Sequence, residues 1–99
     1  MSSKSRRAIR PKKVIKKGGR AEAFDPRKIF RAVLGAFTDA GVEDESLCER
    51  LAKEITTEVC KKYGGKDVDS REIKKVVERV LVKHGYKRAA NLYLLHRYM

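Results

Sequence analysis

VIKKGGRAEAFDPRKI, residues 14–29, sets two short extended runs on either side of a glycine pair and follows them with the opening turn of a helix. The β-branched Val14 and Ile15 start a strand, Gly18-Gly19 supply the positive φ angles of a tight hairpin turn, and residues 20–24 return as its partner. In the return run Ala21 and Ala23 alternate with Glu22 and Phe24, so one face packs while the other reaches solvent or a ligand. Asp25-Pro26 then opens a helix. Aspartate caps the free N–H groups, and proline at the first helical position gives up a hydrogen bond that is not made there in any case. Lys16, Lys17, Arg20 and Lys28 thus gather near a helix N-terminus, whose N–H groups and dipole already favour an anion. That is the chemistry of phosphate binding. A solvated basic hairpin has the same composition, and residue types alone favour that plainer reading.

Outward from this stretch, apolar residues recur at helical spacing. Ile29, Phe30, Val33, Leu34 and Phe37 form a stripe that buries two aromatic rings before Gly41 ends the helix. A second helix begins near Asp44, with Glu43, Asp44 and Glu45 at the positive end of its dipole. Leu47, Leu51, Ile55, Val59 and Tyr63 recur at every fourth position, and Gly64-Gly65 stop it. Residues 66–68 are expected to add a third strand, because a lone hairpin is marginal in water. Asp69-Ser70-Arg71-Glu72 is a helix start with either Asp69 or Ser70 as the cap. Ile73, Val76, Val77, Val80 and Leu81 follow as its buried stripe, ended by Gly85. The last segment, residues 87–99, sets Ala90, Tyr93, Leu94 and Arg97 on one side and closes the helical part. The element order is β-β-α-α-β-α-α.

The chain of 99 residues allows one small domain. Its formal charge of +12 is uneven: the first twenty residues hold nine basic and no acidic side chains, against sixteen basic and thirteen acidic in the remainder. A basic arm expected to be disordered, residues 1–13, on a nearly balanced body, residues 14–99, invites polyanions such as nucleic acid, the ribosome or nucleotide phosphates. The residues of the arm that reach them are those from Lys4 to Lys13. No apolar run long enough to span a membrane and no secretory leader are visible, so a cytoplasmic protein without a membrane partner is expected. Cys48 and Cys60 lie on one helix about 18 Å apart, too far for a disulfide, and read as free thiols of a reducing compartment. No zinc-ligand spacing, P-loop or evident water-activating constellation is present, and the chain is read as a non-enzyme. His84 suits a helix C-terminus, His96 a surface, and Tyr86, Tyr93 and Tyr98 suit packing.

The pattern Val14-x-Lys16-Lys17-x-Gly19-Arg20-x-x-x-Phe24-Asp25-x-x-Lys28-Ile29 resembles the signature of the ATP-cone family. These are regulatory nucleotide-binding domains of ribonucleotide reductases and of the bacterial repressor of reductase genes. Val68-x-Ser70-x-Glu72-Ile73 and Ala89-Ala90-x-x-Tyr93-x-x-x-Arg97 extend the resemblance over nearly the whole chain after the arm. It implies an α+β, mainly α fold, in which a four-helix bundle is capped by a small three-stranded mixed sheet. It implies ATP or dATP, with Mg²⁺, between sheet and helices: Val14 and Ile29 flank the adenine, Glu22 and Asp25 bond base or sugar, Lys16, Lys17 and Lys28 hold the phosphates, and Ser70 adds a polar contact. Two departures stand out. Gly18 occupies a turn position where most of the family has Asp or Asn, and Arg97 stands near the C-terminus where some members carry a phosphate-binding lysine. The expected function is an apparently free-standing module that couples nucleotide occupancy to oligomerisation or to control of a partner protein. The alternative is a nucleic-acid-binding protein that works through its basic arm, with the cone setting oligomeric state.

Overall fold

A computed structural model of the chain describes residues 9–95. The expectations for Lys4, Arg6 and Arg7 at one end, and for His96, Arg97 and Tyr98 at the other, lie outside the described residues.

The element order is the expected one: β1 (Lys13–Ile15), β2 (Ala21–Ala23), α1 (Pro26–Asp39), α2 (Glu45–Tyr63), β3 (Val68–Asp69), α3 (Ser70–Lys83) and α4 (Lys87–Leu95). The sheet is mixed, in the order β2-β1-β3. β1 pairs antiparallel with β2, setting Val14 opposite Glu22, and parallel with β3, setting Val14 opposite Val68. The third strand begins later than residues 66–68 suggested. The Lys66 carbonyl accepts the Lys12 N–H at 2.8 Å, so the chain is anchored just before the ladder and true pairing starts at Val68.

At the hairpin tip Gly19 N–H donates to the Lys16 carbonyl at 2.9 Å, and Gly18 and Gly19 hold φ of 93° and 91°. Both angles lie where a Cβ is costly, which is why the turn takes glycines. Residues 9–12, which composition assigns to the arm, run along the α2–β3 connection. Pro11 is buried there, and the Arg10 carbonyl accepts the Gly65 N–H at 3.0 Å.

Each of the first three helices starts on an aspartate cap: Asp25 accepts from Arg27 N–H, Asp44 from Leu47 N–H and Asp69 from Arg71 N–H. Asp69 rather than Ser70 is therefore the cap of α3, and Glu72 does not complete a capping box. Its carboxylate meets the Tyr63 hydroxyl at 3.3 Å and Lys75 at 3.3 Å.

The helices pack in a ring, α1 on α2, α2 on α3, α3 on α4 and α4 on α1. Phe37, Ile55, Leu81, Val33 and Val59 fill its centre, and both cysteines are free and buried there. The Phe37 ring lies 5.0 Å from Tyr86, tilted at 58°. Two expectations of depth are corrected. Phe30 is only half-buried, and Leu94 is 47% exposed, because α4 turns Ala89, Ala90 and Tyr93 toward the core instead. Among the described residues no helix is long and apolar enough to cross a membrane.

Candidate functional site

The sheet has two unlike faces, and strand alternation decides which residues share each one. Glu22, Val14 and Val68 stand in register in one row; Val14 and Val68 are buried and Glu22 is half-buried, so this row faces the helices. The residues between them, Lys13, Ala21 and Ala23, are exposed on the outer side. Of the two alternations left open in the return strand, Glu22 with Phe24 is the inward one.

The first turn of α1 reaches this row through one side chain. Lys28, in the first turn of α1, donates from Nζ to Glu22 Oε1 at 3.1 Å, and Arg20 approaches Glu22 Oε2 at 3.6 Å. The Glu22 carboxyl is held below its ordinary range. The Lys28 hydrogen bond is the main cause, partial burial opposes it, and the charges of Lys16, Lys28 and Arg20 add to it. Two of the sequence-predicted cations, Arg20 and Lys28, thus meet on one carboxylate, and Lys28 brings it to the first turn of α1.

Asp25 is drawn into a different contact. Its Oδ1 accepts from the Arg27 N–H at 3.0 Å and from Arg27 Nε at 3.2 Å, and its Oδ2 accepts from the same guanidinium at 3.4 Å. Arg27 therefore holds the Asp25 carboxyl below its usual range. Val14 and Ile29 are 8% and 2% exposed, part of the core that joins sheet to helix. Ser70 is 7% exposed at the β3–α3 junction, one residue after the strand pairing ends. Lys17 and Gly19 are exposed at the hairpin tip, and Arg97 lies outside the described residues.

Sequence reading did not find Arg27. The spacing that reveals it is Asp-x-Arg at a helix start, seen again in Asp69-Ser70-Arg71, where Arg71 donates to both Asp69 oxygens at 3.0 and 2.7 Å. It also missed an open cleft of about 630 Å³ on the other flank of α1, lined among others by Arg10, Arg27, Phe30, Lys53 and Thr56. None of the residues predicted to bind nucleotide lines that cleft. Among the described residues no cluster of His, Cys, Asp or Glu could hold a metal ion. A divalent cation would therefore have to arrive with a phosphate ligand; the group of lysines and arginine around Glu22 fits such a polyphosphate.

Comparison with known proteins agrees in extent with this architecture. Residues 12–99 match the ATP cone domain family. Over 85 residues, 86% of the chain, it is 28% identical to the anaerobic ribonucleoside-triphosphate reductase of Haemophilus influenzae, of which it covers 12%. The same enzyme of Salmonella typhimurium is 31% identical over 85 residues, again with 12% of its length covered. The transcriptional repressor NrdR of Dictyoglomus turgidum is 37% identical over 68 residues, 69% of this chain and 44% of the repressor. The chain thus spans about an eighth of the length of these reductases and less than half of the repressor.

Proposed function

The chain belongs to the ATP cone domain family, nucleotide-binding regulatory domains, and on that premise we propose that it binds ATP or dATP between hairpin and α1 and converts occupancy into a change in what it associates with. The observation that carries this reading is the meeting of Arg20 from the hairpin and Lys28 from the first turn of α1 on the Glu22 carboxylate. Lys16, Lys17 and Lys28 take the phosphates. Val14 and Ile29 supply the apolar walls for adenine, Glu22 and Asp25 the acceptors for base or sugar, and Ser70 a hydroxyl near the start of α3. Gly19 and Arg20 keep the tip tight and basic, and Arg97 takes the part of a C-terminal lysine. The three phosphate-binding lysines alone do not neutralise a triphosphate, so Mg²⁺ would accompany it.

Val14 and Ile29 are covered in the described state, so base entry requires the hairpin to lift from α1 and close again. β1 is also paired to β3, and β3 runs directly into α3. Movement of the hairpin is therefore passed to the α2–α3 side, which is how occupancy alters the surface offered to a partner. The module does no chemistry of its own in this reading. It acts on another protein, whether reductase, kinase or regulator, or on a second copy of itself; any switching requires unequal affinity for the two states.

Calorimetric titration with ATP, dATP, ADP and GTP tests the proposal. Heat with the adenine nucleotides and none with Lys16→Ala is expected. Silence with all four sinks the reading, and an equal response to GTP removes the adenine assignment.

The uneven charge supports a second reading, in which the basic residues from Lys4 to Lys13 bind nucleic acid and the cone sets oligomeric state; a repressor is among the relatives. Because residues 9–12 are docked on the body, the discriminating deletion is residues 1–8. Unchanged affinity and salt slope for DNA or RNA after that deletion defeats this reading.

A further inference from the structure

The open cleft of about 630 Å³ between α1 and α2 plays no part in the nucleotide reading. Its floor is apolar, made by Pro26, Ala52 and the half-buried ring of Phe30. Arg10, Arg27 and Lys53 stand around that floor, and Glu49 is the one acidic residue in the lining. Arg27 is tied to Asp25, but among the described residues the side chains of Arg10 and Lys53 make no hydrogen bond or ion pair. On α3, by contrast, Lys75, Arg79 and Lys83 each hold a carboxylate.

The unspent positive charge runs on past the cleft. Lys61 lies eight residues beyond Lys53 on the same face of α2, about 12 Å along its axis. Docking of residues 9–12 sets two more lysines beside that end of the helix: the Arg10 carbonyl accepts the Gly65 N–H at 3.0 Å, and the Lys12 N–H donates to the Lys66 carbonyl at 2.8 Å. Lys12, Lys61 and Lys66 are exposed, and among the described residues none of their side chains is paired. The dipole of α2 accounts for Lys61. It gives no reason for Arg10, Lys12 or Lys53.

A ligand that uses this whole surface brings a flat apolar face for Phe30 and a chain of negative charges for the cations. An unpaired base supplies the first and a phosphodiester backbone the second. A duplex keeps its base faces stacked inside and offers only the backbone. Glu49 repels phosphate from the floor and so leaves that place to the base. We propose that the α1–α2 cleft is a seat for single-stranded nucleic acid, in which a base stacks on Phe30 and the backbone follows Arg10, Lys53 and Lys61 toward Lys12 and Lys66. This rests on the second reading above for nucleic acid as the polyanion; its place on the folded body, and the preference for a single strand, follow from the cleft and its cations.

The test uses the full chain and a mixed-sequence single strand of about twelve nucleotides, alone or annealed to its complement, followed by fluorescence anisotropy over a range of salt. The wild type is expected to bind the single strand more tightly than the duplex. Phe30→Leu keeps an apolar side chain at the floor and removes the ring; it is expected to bind the strand about tenfold more weakly with an unchanged salt slope. Replacing Lys53 and Lys61 together by Gln is expected to flatten that slope by about 1.4, as for two lost phosphate contacts. In parallel, the Phe30 ring protons are followed by NMR as the wild type is titrated with the strand, so the answer does not depend on a variant folding. They are expected to move upfield under a stacked base.

Duplex bound as tightly as the single strand, equal strand affinity for wild type and Phe30→Leu, or unmoved Phe30 protons at saturation each overturn the inference. Strand binding that is lost with residues 1–8 and indifferent to Phe30 keeps the second reading and removes this seat. No nucleic acid bound by the wild type overturns both.

Discussion

Asp25 and Asp69 each precede an arginine by two positions, and each spends its whole carboxylate on that arginine while capping a helix. For Asp69 the result is a carboxyl lowered from 3.8 to about 2, chiefly by the Arg71 side chain and then by its N–H. A depressed carboxylate adds stability that is complete above the unfolded value and disappears as pH falls through the folded one. The thermal midpoint of the wild type should therefore exceed that of Asp69→Asn at neutral pH, with the gap closing between about pH 4 and pH 2. A gap that stays constant over that range would show the pair to be inert. At the lid tip, Gly19→Ala forces a Cβ into φ of 91° although nothing lies within 4 Å of it. About 1 kcal/mol of strain and a Tm lower by about 4–8 °C are expected, without loss of the sheet signature in NMR. The caps were readable from sequence because a cap is a local event among four residues. The tie between Glu22 and Lys28 was not, since it depends on how the strand turns into the helix, and residue types give no angle for that corner.

At the scale of elements, the stripe on α1 settles which face is buried but not how deeply each position goes. Phe37 is fully enclosed, whereas Phe30 on the same stripe stops half-way out at the cleft beside Arg10. Phe37→Ala should cost about 3–5 kcal/mol and abolish a cooperative melt at moderate temperature, while Phe30→Ala should cost well under half of that. Calorimetric melts of the two variants check the order, and equal losses would contradict the burial seen here. The same blindness to depth explains Leu94, which fits the helical period of α4 yet faces out because the smaller Ala89 and Ala90 let α4 lie close against its neighbours. β3 was readable only as a need, a third strand to support a hairpin. Its start was fixed by Lys12 and Lys66, a contact between distant segments that no local pattern encodes. Between α2 and α3 the pairs Arg79–Glu58 at 2.8 Å and His84–Glu54 at 2.8 Å are exposed, and each is worth about 1 kcal/mol at most.

For the whole molecule, Gly64 marks where the N-terminal segment is locked to the body. Its φ is ordinary, but an added Cβ would lie 2.6 Å from the Ile9 carbonyl oxygen and 2.7 Å from that of Cys60. Gly64→Ala should loosen residues 9–12, seen as faster amide exchange at Lys12, whose N–H donates to the Lys66 carbonyl. Exchange at Lys12 as slow as in the wild type would mean the segment is held elsewhere. The parallel pairing of β1 with β3 has a consequence in time as well as in space. Consecutive helices close on near neighbours along the chain, but α1 must find α4, and Val14 must find Val68 across both α1 and α2. Contacts between distant segments form late, after the chain has lost the freedom that makes them costly. The lid, with the α1–α4 contact, then belongs to the late-forming part of the structure, so a ligand held beneath it acts on a contact missing from the folding transition state. In stopped-flow experiments ATP should slow unfolding and leave the refolding rate nearly unchanged. Occupancy would then set the lifetime of the folded protein rather than the speed at which it forms.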